Sequence, residues 1–322
     1  MATVIGTGKS IDPQFRDDVA QGLGSEPKYL SPKYFYDARG DQLFTQIMSL
    51  PEYYLTRTEH GILSNFSENL LMEFSRAGSF TLVELGAGDG LKTKVLLRHF
   101  TSRSARFKYA PVDISSNALS GLVRSISAEF PLLNVTPLPG DYFSALERMK
   151  RDSSPKAVLF LGASIGNFPF DQALAFLKGL HDSLSDGDVA LIGFDLKKNP
   201  HEILAAYNDK NGVTRDFNLN LLARINRELD GEFEMENYSH YPLYDPQSGE
   251  AKSFLVSLKR QSVRIGKLNK TFRFEEGEAI HTEISRKYSL SEIGLLAELS
   301  GFTPIRNFTD PKNRFVDVLW KR

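Results

Sequence analysis

The stretch Thr81-Leu82-Val83-Glu84-Leu85-Gly86-Ala87-Gly88-Asp89-Gly90 constrains this chain more than any other. An apolar, β-branched run meets an acid and then three glycines at alternate positions, and an apolar helical pattern (Val95, Leu96, Leu97) follows. That order predicts a buried strand, a tight turn and the start of a helix. Glycines there make positive φ cheap and let a ligand come within contact distance of the backbone, because no Cβ intervenes. A cofactor lying across the turn is the expectation, and a purely structural strand-to-helix turn is the alternative. Alternating glycines also serve dinucleotide-binding enzymes, where phosphate sits on the helix N-terminus, so the glycines alone leave NAD open. Here Glu84 and Asp89 bracket them, and two carboxylates suit a cationic ligand better than a pyrophosphate.

The pattern Glu84-x-Gly86-x-Gly88-x-Gly90 resembles the first motif of class I S-adenosylmethionine-dependent methyltransferases, whose cofactor carries an ammonium and a sulfonium. After it, strands are expected at 108–114, 133–138, 157–161 and 189–196, with helices at 116–130 and 170–184. This is the β-α-β rhythm of a doubly wound parallel sheet, whose strand ends line one crevice. Asp113 ends the second strand, where such folds place a carboxylate on a ribose diol. Asp141 follows the third strand; in class I methyltransferases the matching residue reads the adenine amino group, beside an aromatic or apolar residue, here Tyr142. Each acid could equally cap a helix or a turn. Lys92, just past the glycines, completes the cofactor set. The loop Gly162-Ala163-Ser164-Ile165-Gly166-Asn167-Phe168 closes the fourth strand and places the Asn167 amide to hold a substrate, although Gly-Asn is also a common turn pair.

Upstream, residues 1–9 read as a tail and 11–23 as a helix broken by Gly24-Ser25-Glu26-Pro27. A short helix carries Leu43, Phe44, Ile47 and Met48. The Tyr53-Tyr54 pair is either a core staple at a helix entry or part of a pocket. A helix over 59–74 leads to the glycine turn. From Lys197 the rhythm changes: helices at 203–207 and 219–226 precede strands at 233–240, 252–258, 263–265, 271–274 and 279–287 of an antiparallel, half-exposed sheet. Such an insertion is too long and too patterned for a loop. Ser289-Leu290-Ser291-Glu292 then starts a capped helix ended by Gly301, and strands at 303–308 and 315–320 form a terminal hairpin. The expected fold is α/β: a Rossmann-like, seven-stranded class I methyltransferase sheet from 60–196 and 288–322, with a second, α+β substrate-binding domain from 1–59 and 197–287.

Composition narrows the partners. A net charge of −1 gives no basic excess for nucleic acid. With no cysteine there is neither a disulfide nor a thiolate, and the six histidines show no metal-ligand spacing, so no metal is expected. Neither a membrane span nor a signal peptide is indicated; a cytoplasmic location and a monomer are expected.

Several motifs outside the glycine turn resemble one family over nearly the whole chain. Phe35-Tyr36-Asp37, Leu50-Pro51-Glu52-Tyr53-Tyr54 with Thr56-Arg57-Thr58-Glu59, Phe160-Leu161-Gly162 with Ile165-Gly166-Asn167, and Ala206-Tyr207 look like those of the L-histidine Nα-methyltransferases of ergothioneine biosynthesis. So do Arg224-Ile225-Asn226-Arg227-Glu228-Leu229 and Thr282-Glu283-Ile284-Ser285. The resemblance implies trimethylation of the histidine α-amino group to hercynine, with S-adenosylmethionine converted to S-adenosylhomocysteine. It implies that Tyr36, Asn167 and Tyr207 surround the amino-acid backbone, with Tyr36 and Asn167 as the catalytic pair. It implies further that Glu283, Ser285 and Tyr53 address the imidazole. The chain departs from the family pattern at Ser253, Phe254 and His281, near the side-chain pocket, which leaves another amino acid open as substrate. A non-catalytic module that binds the same cofactor is opposed by the intact Glu84, Asp113, Asp141 and Asn167.

Overall fold

A computed structural model describes residues 12–322; the tail expected at residues 1–9 lies outside them, as does Ile11. Helices α1 to α10 run over Pro13–Gly24, Ala38–Ser49, Leu55–Phe74, Thr93–Ser102, Ser116–Glu129, Tyr142–Met149, Phe170–Ser183, Pro200–Tyr207, Val213–Leu229 and Leu290–Ser300. Strands β1 to β5 run over Phe80–Leu85, Phe107–Asp113, Leu138–Pro139, Lys156–Phe160 and Val189–Asp195. Strands β6 to β12 run over Tyr238–Asp245, Glu250–Ser257, Gln261–Ile265, Lys270–Phe274, Ala279–Arg286, Thr303–Thr309 and Phe315–Lys321. No described helix is long and apolar enough to cross a membrane.

The chain divides into two compact units. The larger comprises Met48–Tyr207, Tyr244–Ala251 and Ile284–Arg322. It contains a seven-stranded sheet in the order β11-β12-β5-β4-β1-β2-β3. Strands β1 to β5 are parallel, β12 is antiparallel to β5, and β11 to β12. The chain steps outward from β1 to β3 and then returns to β4, so the order reverses between β1 and β4 at their carboxyl ends. That reversal is where open α/β sheets bind ligands. Alternate strand residues face opposite sides. Leu82, Leu159, Leu191 and Leu319 therefore join one core with Leu97 and Phe100, while Val83, Phe160, Ile192 and Val318 join the other with Phe176 and Trp320. Both faces are covered, which explains why the strands read as continuous apolar runs. Each fully buried Leu or Phe is worth about 1.5–3 kcal/mol over leaving it in water.

The smaller unit comprises Asn208–Leu243, Lys252–Glu283 and the described residues through Ile47. Phe35 stacks on Phe217 with ring centroids 4.5 Å apart, and Tyr36 meets Phe44 and Phe217 edge-on. Asp37 caps α2 through the Gly40 N–H and receives Asn220 and Arg227 from α9.

Three expectations need correction. The third strand shrinks to Leu138–Pro139 plus a single bridge from Val135 to Tyr109, because Pro137 and Pro139 remove ladder donors at a sheet edge. The strands of the insertion do not form one sheet: β10-β7-β6 form one, and β8-β9 an antiparallel pair of their own. The compact units divide after Ile47 and after Tyr207, so α8 falls with the seven-stranded sheet, as does the whole of α3, expected there only from residue 60 onward. On α3 the reason is its apolar face: Ile62, Leu63, Leu70 and Phe74 share a core with Leu82 and Leu97.

Candidate active site

The turn after β1 has the shape its glycines require. Gly86, Gly88 and Gly90 take φ of 76°, 55° and 67°, the left-handed region that favours glycine. The N–H groups of Gly86 and Ala87 both donate to Val112 O on β2, at 2.9 and 3.0 Å. Asp113 completes the tie: one carboxylate oxygen accepts the Gly88 N–H and the other the Ser115 N–H, each at 2.8 Å. Burial raises the Asp113 pKa, while these backbone donors pull it down. A Cβ at Gly88 would meet nothing within 4 Å, so that stretch of backbone is open to a ligand. A Cβ at Gly86 would stand 2.9 Å from the Tyr142 hydroxyl, which places Tyr142 over the turn. Burial pushes the Tyr142 phenol up to about 12. Asp141 is the N-cap of α6, accepting the Ser144 N–H at 2.8 Å. The open backbone, the Asp113 carboxylate and the overlying tyrosine suit an adenosyl group: each carboxylate oxygen keeps lone-pair capacity beyond its backbone donor.

Glu84 ties the elements around the turn together. It is buried, and its two oxygens accept from the Thr93 and Tyr109 hydroxyls, which fastens the start of α4 and β2 to β1. Burial raises its pKa to about 7, against the pull of those two donors. Lys92 is drawn the other way, onto Glu59 of α3 at 2.5 Å. Glu59 is fully buried and also accepts the Gly162 N–H at 2.7 Å, so one carboxylate joins α3, the glycine turn and the loop after β4. Asp317 on β12 lies beside it, its pKa raised by burial and then by the charge of Glu59. Gly193 makes room for this pair; a Cβ there would collide with the Glu59 carboxylate and stand 3.1 Å from Asp317.

A second polar cluster forms at the carboxyl end of β5. Asp195, fully buried, accepts from the Tyr54 hydroxyl at 2.8 Å, from Lys198 at 2.5 Å and pairs with Lys287 at 3.0 Å. Burial raises the Tyr54 pKa and lowers that of Lys198. Lys287, also fully buried, donates to Tyr207 Oη at 2.6 Å and to Ser285 Oγ at 2.8 Å. Tyr207 in turn donates to Ser285 at 2.8 Å. The Ser164–Asn167 turn packs against the same strand: a Cβ at Gly166 would lie 2.6 Å from the Arg286 carbonyl oxygen. Asn167 itself is exposed at the end of that turn, and Tyr53 is half-buried against the core that contains Tyr54.

The structure thus joins Tyr207 to Ser285 directly, and sets Gly86, Gly88, Asp113 and Tyr142 around one turn. Tyr36 and Glu283 lie in the smaller unit, as do Ser253, which meets His240 at 3.3 Å, and Phe254, whose ring lies 5.2 Å from that of His281. A cavity of about 290 Å³ lined by Arg57, Thr58, Asn65, Lys312 and Arg314 holds none of these residues. Sequence reasoning missed Asp195 and Lys287; it left Tyr54 between a core staple and a pocket residue and carried Glu59 only within a motif. Both missed residues carry a signal in the sequence: Asp195 is another acid at a strand end, and Lys287 continues the alternation Glu283, Ser285.

A family model described as a SAM-dependent, histidine-specific methyltransferase matches residues 15–322. The histidine N-alpha-methyltransferase of Mycobacterium tuberculosis (strain CDC 1551 / Oshkosh) is 36% identical over 93% of this chain and 92% of its own length. That of Mycolicibacterium smegmatis is also 36% identical, over 93% and 92%. Ergothioneine biosynthesis protein 1 of Neurospora crassa is 31% identical over 88% of this chain and 32% of its own. The chain belongs to the family of histidine-specific, S-adenosylmethionine-dependent methyltransferases.

Proposed function

We propose that the protein methylates the α-amino nitrogen of L-histidine three times, giving hercynine and three molecules of S-adenosylhomocysteine. The observation that carries this reading is the cluster at the end of β5, where Tyr207 and Ser285 meet over a buried lysine in the same unit as the open glycine turn. The larger unit supplies the cofactor residues, namely Gly86, Gly88, Gly90, Asp113, Asp141 and Tyr142, with Glu84 and Lys92 shaping the turn through Thr93 and Glu59. The N-terminal segment and the insertion supply substrate recognition. The partner is a small amino acid, and the protein acts as a cytoplasmic monomer without metal, membrane or nucleic acid.

S-adenosylmethionine, when bound, supplies an electrophilic methyl group and leaves as its sulfide. The chain's task is to present an amine lone pair. The substrate ammonium gives up one proton to solvent before each transfer. The Asn167 carbonyl and the Tyr36 hydroxyl accept from the N–H groups left before the first and second transfers and orient the nitrogen. Before the third, the dimethylated nitrogen has none, and its orientation falls to the contacts that hold the rest of the substrate. Aromatic faces tolerate the positive charge that stays on nitrogen after methylation. Glu283 accepts from an imidazole N–H and Ser285 meets the other ring nitrogen, which selects histidine over apolar side chains of similar size. Purified protein incubated with labelled S-adenosylmethionine and each proteinogenic amino acid, with products identified by mass, tests the reading. Histidine should gain three methyl groups. Preference for another amino acid would reassign the substrate, and no transfer to any amino acid would refute the proposal.

A further inference from the structure

Lys287 underlies the Tyr207–Ser285 pair; it is fully buried and spends its three N–H donors on Asp195, Tyr207 and Ser285. An ammonium has donors only, so both hydroxyl oxygens must accept from it. Tyr207 then donates to Ser285. Ser285 accepts from both neighbours and keeps its own proton for an acceptor outside the triangle. We infer that Lys287, held by Asp195, is a positioning residue that locks Ser285 as a hydrogen-bond donor and thereby makes the site accept histidine only with its ring uncharged. The inference rests on the histidine reading and deepens it. A neutral imidazole offers one bare nitrogen to such a donor, whereas an imidazolium carries N–H on both and would face the Ser285 proton with one of its own.

The titratable groups around Lys287 are Asp195 and Lys198, with Tyr54 bridging them, and the phenols of Tyr207, Tyr244 and Tyr288. Burial pushes Tyr54, Tyr244 and Tyr288 upward, away from neutrality. Ring protonation in the substrate is therefore the transition this end of the site senses near pH 6.5, the ordinary imidazole value given to about half a unit.

The test is calorimetric binding of histidine to enzyme saturated with S-adenosylhomocysteine, at about pH 7.5 and about pH 5.5. In the wild type the dissociation constant should rise about tenfold across that range, as the neutral ring is depleted. Removing Lys287 alone would leave Asp195 buried and short of a partner, so the variant combines Lys287→Met with Asp195→Asn. It should bind histidine roughly 10- to 100-fold more weakly at the higher pH, and its pH ratio should fall below about threefold. Ser285→Ala should flatten the profile in the same way, and adding it to the charge-free variant should cost less than about threefold more, because the lysine acts through that hydroxyl. Unchanged affinity for S-adenosylhomocysteine reports an intact fold. A pH ratio that survives in the charge-free variant, or fully additive losses, would overturn the inference and leave the histidine reading standing. If the charge-free variant does not fold, a retained pH ratio in Ser285→Ala alone overturns it. Failure of the wild type to bind histidine at either pH would refute the function itself.

Discussion

Glu84 stands at the end of β1, facing the turn, but Thr93 and Tyr109 take both its oxygens and burial lifts its pKa to about 7 from an ordinary 4.5. A carboxyl raised in the folded state adds stability below about 4.5, and that contribution is lost as pH rises through about 7. The swing is up to roughly 3 kcal/mol. Glu84→Gln keeps the shape without the charge, so wild type should lose thermal stability relative to this variant between about pH 5 and pH 8. Parallel melting curves would show that the Glu84 carboxyl is not raised into this range. Asp113 is more open: it is half-buried where Glu84 is buried, and its oxygens hold only backbone N–H groups and retain acceptor capacity. Asp113→Ala should therefore weaken S-adenosylhomocysteine binding by about tenfold or more and also loosen the turn it ties down. Calorimetry showing full affinity would remove it from the ribose position. Glu283→Ala should raise the histidine Michaelis constant more than that of the cofactor, and equal changes in both would count against a role in reading the imidazole.

At the scale of elements, what could be read in advance were those whose local chemistry and global pattern agree. Helix α10 begins with a complete capping box, Ser289 accepting the Glu292 N–H and Glu292 the Ser289 N–H, and ends at Gly301 in the left-handed region. Both signals stand in the sequence as Ser-Leu-Ser-Glu and a trailing glycine. Ser289→Ala should cost about 1 kcal/mol in denaturant unfolding. The third strand shows the reverse, its apolar run outvoted by two prolines. The Ser164–Asn167 turn depends on a contact invisible in one dimension, because Gly166 fits only where the Arg286 carbonyl, far along the chain, presses against it. Gly166→Ala should push the turn off β10 and lower turnover by about tenfold or more through misplacement of Asn167, with product-cofactor binding unchanged. Full activity in that variant would detach Asn167 from the chemistry.

Across the whole molecule, legibility followed sequence distance. The alternation of strands and helices, the glycine turn and Asp113 come from periodicity and spacing within single β-α-β units. Lys287, Asp195, Glu59 and Asp317 pair across the chain, and a lone Lys or Asp in an apolar strand announces no partner. The charges that hold Tyr207, Ser285 and the glycine turn in place were therefore the part left unread. The cofactor candidates, unlike the substrate candidates, all fall in the larger unit. S-adenosylhomocysteine at about one hundred times its dissociation constant should stabilise the protein by about 2.7 kcal/mol. Slowed amide hydrogen exchange should concentrate at 86–92 and 113–115, where backbone N–H groups already converge on Val112 and Asp113. Residues 213–229, the helix α9, carry no cofactor candidate and should exchange at an unchanged rate on adding this ligand alone. Protection that appeared first in α9 would mean that the glycine turn is not where the nucleoside binds.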